Sequence, residues 1–123
     1  MATRSEVLAF LNQFKGCVAL ALLKVKDREK NRQALIDLGI TPGGRREILL
    51  GLTPEDYVAG PMPDDTDGTK EVWVFGAAVD DTEVYIKLRA VEDKRHKGRW
   101  HAVVWSFHRA EHPMRYPLRG GRA

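Results

Sequence analysis

The chain has 123 residues and a single cysteine, Cys17, so no disulfide can form within it. That absence fits a reducing compartment, and we read the protein as cytoplasmic. Long apolar runs are missing too. Val18 to Leu23 is far too short to span a bilayer and is flanked by Lys24 and Lys26, so no membrane partner is expected. There is no Gly-x-Gly-x-x-Gly, no Walker loop and no Cys-x-x-Cys, so no nucleotide or other cofactor is expected. His108 and His112 stand four apart, but Pro113 and the strand-like stretch before them argue against the helix that would aim both at one metal ion. Cys17 reads as a small core residue.

The charge is only mildly basic, +3, but it is unevenly placed. Acids gather at Glu55-Asp56, Asp64-Asp65-Thr66-Asp67 and Asp80-Asp81. Arginines gather near the C-terminus: Arg109, Arg115, Arg119 and Arg122. A one-sided basic end points to a polyanion, nucleic acid first, with Arg109 and Arg115 as candidate contacts. Residues 119–123 read as a flexible basic tail behind a single domain of residues 1–118.

Two stretches alternate with the period of a half-buried strand. In the first, Val84, Ile86, Leu88 and Ala90 fall on one side and Glu83, Tyr85, Lys87 and Arg89 on the other. In the second, Val103, Trp105 and Phe107 make an apolar side, and Ala102, Val104, Ser106 and His108 the opposite one. The polar run from Glu92 to Arg99 reads as a hairpin loop. Folding symmetrically about it sets Lys87 opposite Val104, Tyr85 opposite Ser106 and Glu83 opposite His108. Trp105 and Phe107 then belong to the core. Trp73, in the strand Glu71 to Val79, is a candidate for stacking on bases.

The rest reads as helix, strand, helices and then the three strands. Ser5 caps a first helix with Val7, Leu8, Leu11 and Phe14 on its apolar face, and Gly16 ends it. The run from Cys17 to Val25 fits helix or strand. Its shortness favours a strand. Asp27 caps a second helix that Gly39 stops, Thr41 opens a third, and Thr53-Pro54 starts a helical turn. Residues 60–69 read as a loop. The fold class is α+β: a small antiparallel sheet, made of a three-strand C-terminal meander and one N-terminal strand, packed against N-terminal helices.

A row of Tyr85, Lys87 and Arg89 on a wet strand face can hold a phosphate or simply keep the sheet soluble. With His108 added, the set suits metal-independent cleavage of RNA by its own 2′-hydroxyl. That reaction needs a base, an acid for the leaving 5′ oxygen, and positive charge around the developing phosphorane. An imidazole serves as either acid or base near neutrality. Lys87 and Arg89 suit the charge, Tyr85 could donate a proton or orient the phosphate, and Glu83 would orient His108.

The stretches Lys30-Asn31-x-x-Ala34-Leu35, Leu50-Gly51-Leu52-Thr53-x-x-Asp56-Tyr57, Gly60-Pro61, Trp73-Val74-Phe75-Gly76, Val84-Tyr85-Ile86-Lys87 and Ser106-Phe107-His108-x-Ala110-Glu111 together resemble the MqsR-type toxins of bacterial toxin–antitoxin systems. The resemblance runs from about Arg28 to Tyr116. It implies a RelE/ParE-like fold, a ribosome-independent endoribonuclease acting on mRNA, and an antitoxin protein as partner. Tyr85 and Lys87 match the family's Tyr-x-Lys strand. Founding members carry a lysine where this chain has Ala59, a glutamine where it has Val74 and a lysine where it has His108. Two other functions fit the residues: a ParE-like toxin that inhibits a protein target without catalysis, and a small nucleic-acid-binding regulator.

Overall fold

The computed structural model describes residues 1–64, 68 and 70–121. Among these residues three α-helices and a five-stranded sheet form a mixed α+β fold. The helices are α1 (Arg4–Ala19), α2 (Glu29–Leu38) and α3 (Pro42–Leu50). The strands are β1 (Leu23–Val25), β2 (Tyr57–Pro63), β3 (Glu71–Val79), β4 (Thr82–Glu92) and β5 (Trp100–Arg109). They lie side by side in the order β1-β5-β4-β3-β2. β1 runs parallel to β5, and the other neighbours are antiparallel.

Thr3, not Ser5, caps α1. Its hydroxyl accepts from the Glu6 amide while the Glu6 carboxylate takes the Thr3 amide. The helix also runs past Gly16 to Ala19. Cys17 and Val18 extend the buried stripe of Val7, Phe10, Leu11 and Phe14. Burying them outweighs the cost of about 1 kcal/mol for a glycine inside a helix. Little is left for β1, which is three residues long rather than the nine from Cys17 to Val25. Leu8 points away from the stripe and is exposed. α2 begins after Arg28, not Asp27, and stops at Gly39, which takes the left-handed conformation (φ 66°). Thr41 caps α3 as its sequence predicts.

β2 lies where a loop was expected from residue 60 on. Pro61 and Pro63 are tolerated because β2 is an edge strand, and its pairing with β3 shifts register twice. Gly60 (φ +110°) comes so close to β3 that a Cβ there would sit 2.6 Å from the Val72 carbonyl oxygen. The buried Tyr57 hydroxyl donates to the Gly60 carbonyl and accepts from the Ala2 amide at 3.1 Å, tying the chain start to this edge.

One face of the sheet is the core. Phe75, Val84, Ile86, Leu88, Ala102, Val104 and Phe107 pack there against Phe10, Leu11 and Phe14 of α1, Ala34 and Leu38 of α2 and Leu49 of α3. The order along β5 differs from simple alternation. Ile86 pairs with Phe107 and Leu88 with Val104, so two residues, Trp105 and Ser106, stand between core positions on β5 where β4 has only Lys87. This β-bulge reverses the phase of β5 before it. Ala102 and Val104 face the core, whereas Val103 and the half-buried Trp105 face away, the reverse of the expected assignment.

Asn31 of α2 holds the bulge. Its side chain is buried; it accepts from the Phe107 amide at 2.9 Å and donates to the carbonyls of Lys26 and Trp105 at 3.0 and 3.1 Å. Beyond the end of β1, this amide replaces the missing strand. After β5 the chain crosses the open sheet face. Met114 and Tyr116 lie on Gly76, where a Cβ would sit 2.2 Å from the Tyr116 hydroxyl. Leu118 then reaches the core, and Arg119 stacks on Tyr116 at 3.7 Å and donates to the Glu55 carbonyl. Arg119 is therefore anchored, not the start of a free tail. Arg122 and Ala123 lie outside the described residues. No helix among the described residues is long and apolar enough to cross a membrane.

Candidate active site

The bulge decides which side chains meet on the open face. Tyr85 pairs with His108 and Lys87 with Ser106. Each β5 partner is two residues further along than simple folding about the loop predicts. The Tyr85 and His108 rings stack, with centroids 5.5 Å apart and planes 25° from parallel. Tyr85, Lys87 and His108 line one cleft of about 460 Å³, within the usual range for ligand sites. Trp105 and Asp64 border it on the sheet side. Arg28 forms one wall, and Glu111 to Met114 form another.

His108 Nδ1 lies 3.0 Å from the Arg109 carbonyl oxygen. A carbonyl only accepts, so Nδ1 carries the hydrogen and the neutral ring keeps its lone pair on Nε2. That is the tautomer of an available base. Glu83 does not orient this ring. It pairs with Ala78 of β3, and its carboxylate takes the Tyr116 hydroxyl at 2.7 Å and the Met114 amide at 3.2 Å. Glu83 thus fastens the segment that walls the cleft. Burial, followed by this bond to Glu83, pushes the Tyr116 phenol up to about 12.

The cations divide into paired and unpaired. Arg89, expected to meet phosphate, instead bonds the buried Asp64 at 2.7 Å and lies over the Trp105 ring at 4.7 Å. The carboxylate neutralises it and fixes the chain after β2 to the sheet. Lys87 has no carboxylate partner among the described residues. Arg28 is the residue that the sequence reading missed. Its guanidinium donates to the Ser106 hydroxyl at 2.8 Å and the Trp105 carbonyl at 3.1 Å. These acceptors are neutral, so its charge is positioned at the cleft wall without being cancelled. Its helix-capping position gave no local clue. Glu111 across the cleft is paired with Lys30 at 2.8 Å; this bond, and then the charge of Lys30, hold its carboxyl below the usual range.

Three candidate contacts lie elsewhere. Trp73 is on the core face of β3, stacked on Phe10 at 4.6 Å, because it pairs with Leu88. Arg109 pairs with Val84 and so points to the side opposite His108. Arg115 is exposed beyond the cleft. Cys17 is buried in the core, donates to the Trp100 carbonyl and has its thiol pushed up by desolvation. Asp65 and Asp67 of the acidic cluster lie outside the described residues.

Ala59, Val74, Lys87 and Ser106 form one row of cross-strand neighbours through β2, β3, β4 and β5. Gly76, Tyr85 and His108 form the next row. Ala59 and Val74 therefore share a row with Lys87, and His108 lies beside Tyr85. No protein-family profile matches the chain, and no curated protein matches it in sequence.

Proposed function

We propose that the protein is a metal-independent endoribonuclease, the toxin of a toxin–antitoxin pair, which cleaves mRNA in the cleft over β4 and β5. The observation that carries this reading is the gathering of His108, Tyr85, Lys87 and Arg28 around one opening, with the His108 tautomer set by the Arg109 carbonyl. Helices on one face of a mostly antiparallel sheet also suit the RelE/ParE-like architecture that the resemblance implies.

In this mechanism the scissile phosphate sits between the Lys87 ammonium and the Arg28 guanidinium. His108 Nε2 takes the proton of the 2′-hydroxyl, and the 2′ oxygen forms a bond to phosphorus. Negative charge grows on the non-bridging oxygens and is met by the two cations. The bond to the 5′ oxygen breaks, and that oxygen takes a proton from Tyr85 or His112, both of which line the cleft. The products are a 2′,3′-cyclic phosphate and a 5′-hydroxyl. Cleavage rates of Tyr85→Phe and His112→Gln separate the two donors, since only loss of the true acid slows departure of the 5′ oxygen.

The experiment is cleavage of a labelled RNA by purified protein in EDTA, with the product ends identified. Val74, buried beside Lys87 where the family has glutamine, favours a second reading: a toxin of this fold that binds a protein target without cutting RNA. Growth arrest on expression, with no RNA cleaved by the purified protein, would select it.

A further inference from the structure

The cleft does not end at Trp105. On the same sheet face, towards the hairpin loop, a second depression of about 500 Å³ has Trp105 as its shared border. Its charged rim comes from Lys24 and Lys26 of the β1 edge, Lys70, and Lys94 and Arg95 of the loop. None of these five has a carboxylate partner among the described residues. The acids beside them are engaged within the loop: Glu92 takes the Gly98 amide, and Asp93 takes the Arg95 amide and lies 3.6 Å from His96. Arg89, at the floor, is neutralised by Asp64.

The spacing is regular. Lys24 pairs with Val103, so Lys24 and Lys26 both face the open side, about 6–7 Å apart at a strand rise of about 3.3 Å per residue. That is close to the separation of successive phosphates on one strand. The Lys26 ammonium sits over the Trp105 ring at 5.1 Å, at the junction of the two depressions. From Tyr85 in the cleft to Val91 in the groove the distance along β4 is about 20 Å, again at about 3.3 Å per residue. The face is therefore a continuous strip: acid–base groups with Lys87 and Arg28 at one end, and at the other cations without carboxylate partners among the described residues.

We propose that this strip is the binding track of a single-stranded nucleic acid, whose backbone leaves the cleft past Trp105 and runs along Lys26 and Lys24. This rests on the reading of the cleft as the site of the scissile phosphate. The cleft is small, about 460 Å³, with Arg28 on one wall and Glu111 to Met114 on another, which suits one strand entering it. Lysines in a row, without carboxylate partners among the described residues, suit a backbone read by charge.

The test is fluorescence anisotropy of a labelled single-stranded DNA oligonucleotide of about a dozen nucleotides, a length suited to a site of this kind. DNA lacks the 2′-hydroxyl, so binding is read without cleavage. For Lys24→Ala/Lys26→Ala, in which both side chains are exposed and the fold does not depend on them, affinity at low salt should fall roughly tenfold. The slope of log affinity against log salt should become shallower by about 1.4, from about 0.7 for each lost phosphate contact on a single strand. Lys24→Arg/Lys26→Arg should keep the wild-type slope. Wild-type affinity and slope in the double alanine variant overturn the proposal, as does equal affinity for a duplex of the same length. Loss of poly-glutamate binding with oligonucleotide binding unchanged also overturns it and assigns the groove to an acidic protein segment. A protein that binds the oligonucleotide as predicted but cuts no RNA upholds the track and removes the nuclease reading. One that cuts RNA while the alanine variant binds normally does the reverse.

Discussion

Replacing Asn31 with alanine would test the link between fold and site, because one side chain holds the bulge that brings His108 to Tyr85. The residue is buried, and its amide makes three hydrogen bonds, to Lys26, Trp105 and Phe107. Alanine leaves the Phe107 amide and the Lys26 carbonyl without this partner, while the Trp105 carbonyl retains Arg28. At about 1 kcal/mol net for each lost bond, and somewhat more for a donor stranded in the interior, Asn31→Ala should cost about 2–4 kcal/mol. In a domain of this size that is a fall in Tm of about 10 °C. A urea titration reads it as a lower midpoint at constant slope. Asn31→Asp should be worse at neutral pH, since a carboxylate would then face the two carbonyls without a proton to offer. Part of that loss should return on acidification, when the carboxyl can donate. A cost for Asn31→Ala below about 1 kcal/mol would refute the reasoning, because the β5 register would then stand without this amide.

Trp105→Ala should cost only about 1 kcal/mol, because the ring is half-buried and held chiefly by the cations over it; a loss of about 3–5 kcal/mol in the same titration would return it to the core. Gly76→Ala should destabilise by about 1–3 kcal/mol by pushing Tyr116 and Met114 off the sheet, and Tyr116→Ala made with it should recover part of that loss. The Tyr116 phenol is held protonated by the fold, so its contribution is complete below pH 10 and disappears as pH rises towards about 12. Absorbance at alkaline pH should include a late tyrosine phase that Tyr116→Phe removes; removal of a phase near 10 instead would contradict the buried bond to Glu83.

The sequence disclosed the two strands and the loop between them because alternation and charge are local signals. Thr41 and Gly39 were legible for the same reason. The bulge was not. Val103, Trp105 and Phe107 form as good an apolar row as Ala102, Val104 and Phe107, and period-two reading prefers the bulkier one. The clue, large apolar residues three apart at Val104 and Phe107, makes sense only once Asn31 is known to fill the gap. Strand parity puts Trp73 and Arg109 on the side away from His108, whereas residue type alone, aromatic or basic, points to a nucleic-acid contact. Arg28 and Arg89 depended on partners distant in the chain, Ser106 and Asp64, which no local pattern reveals. β2 was hidden by its prolines, which are harmless only because the strand is at an edge.

The central claim is that His108 and Lys87 act on one RNA phosphate. Its most direct test is the pH–rate profile of labelled RNA cleavage in EDTA for the wild type, His108→Ala and Lys87→Ala. The wild type should cut to a 2′,3′-cyclic phosphate, with an acidic limb that reports an imidazole base. Lys87→Ala should keep that limb while losing about 10²–10³-fold in rate, roughly 2.7–4 kcal/mol of transition-state stabilisation. His108→Ala should lose the limb itself. An unchanged rate and profile in His108→Ala, or no cleavage of any RNA by the wild type, would contradict the account.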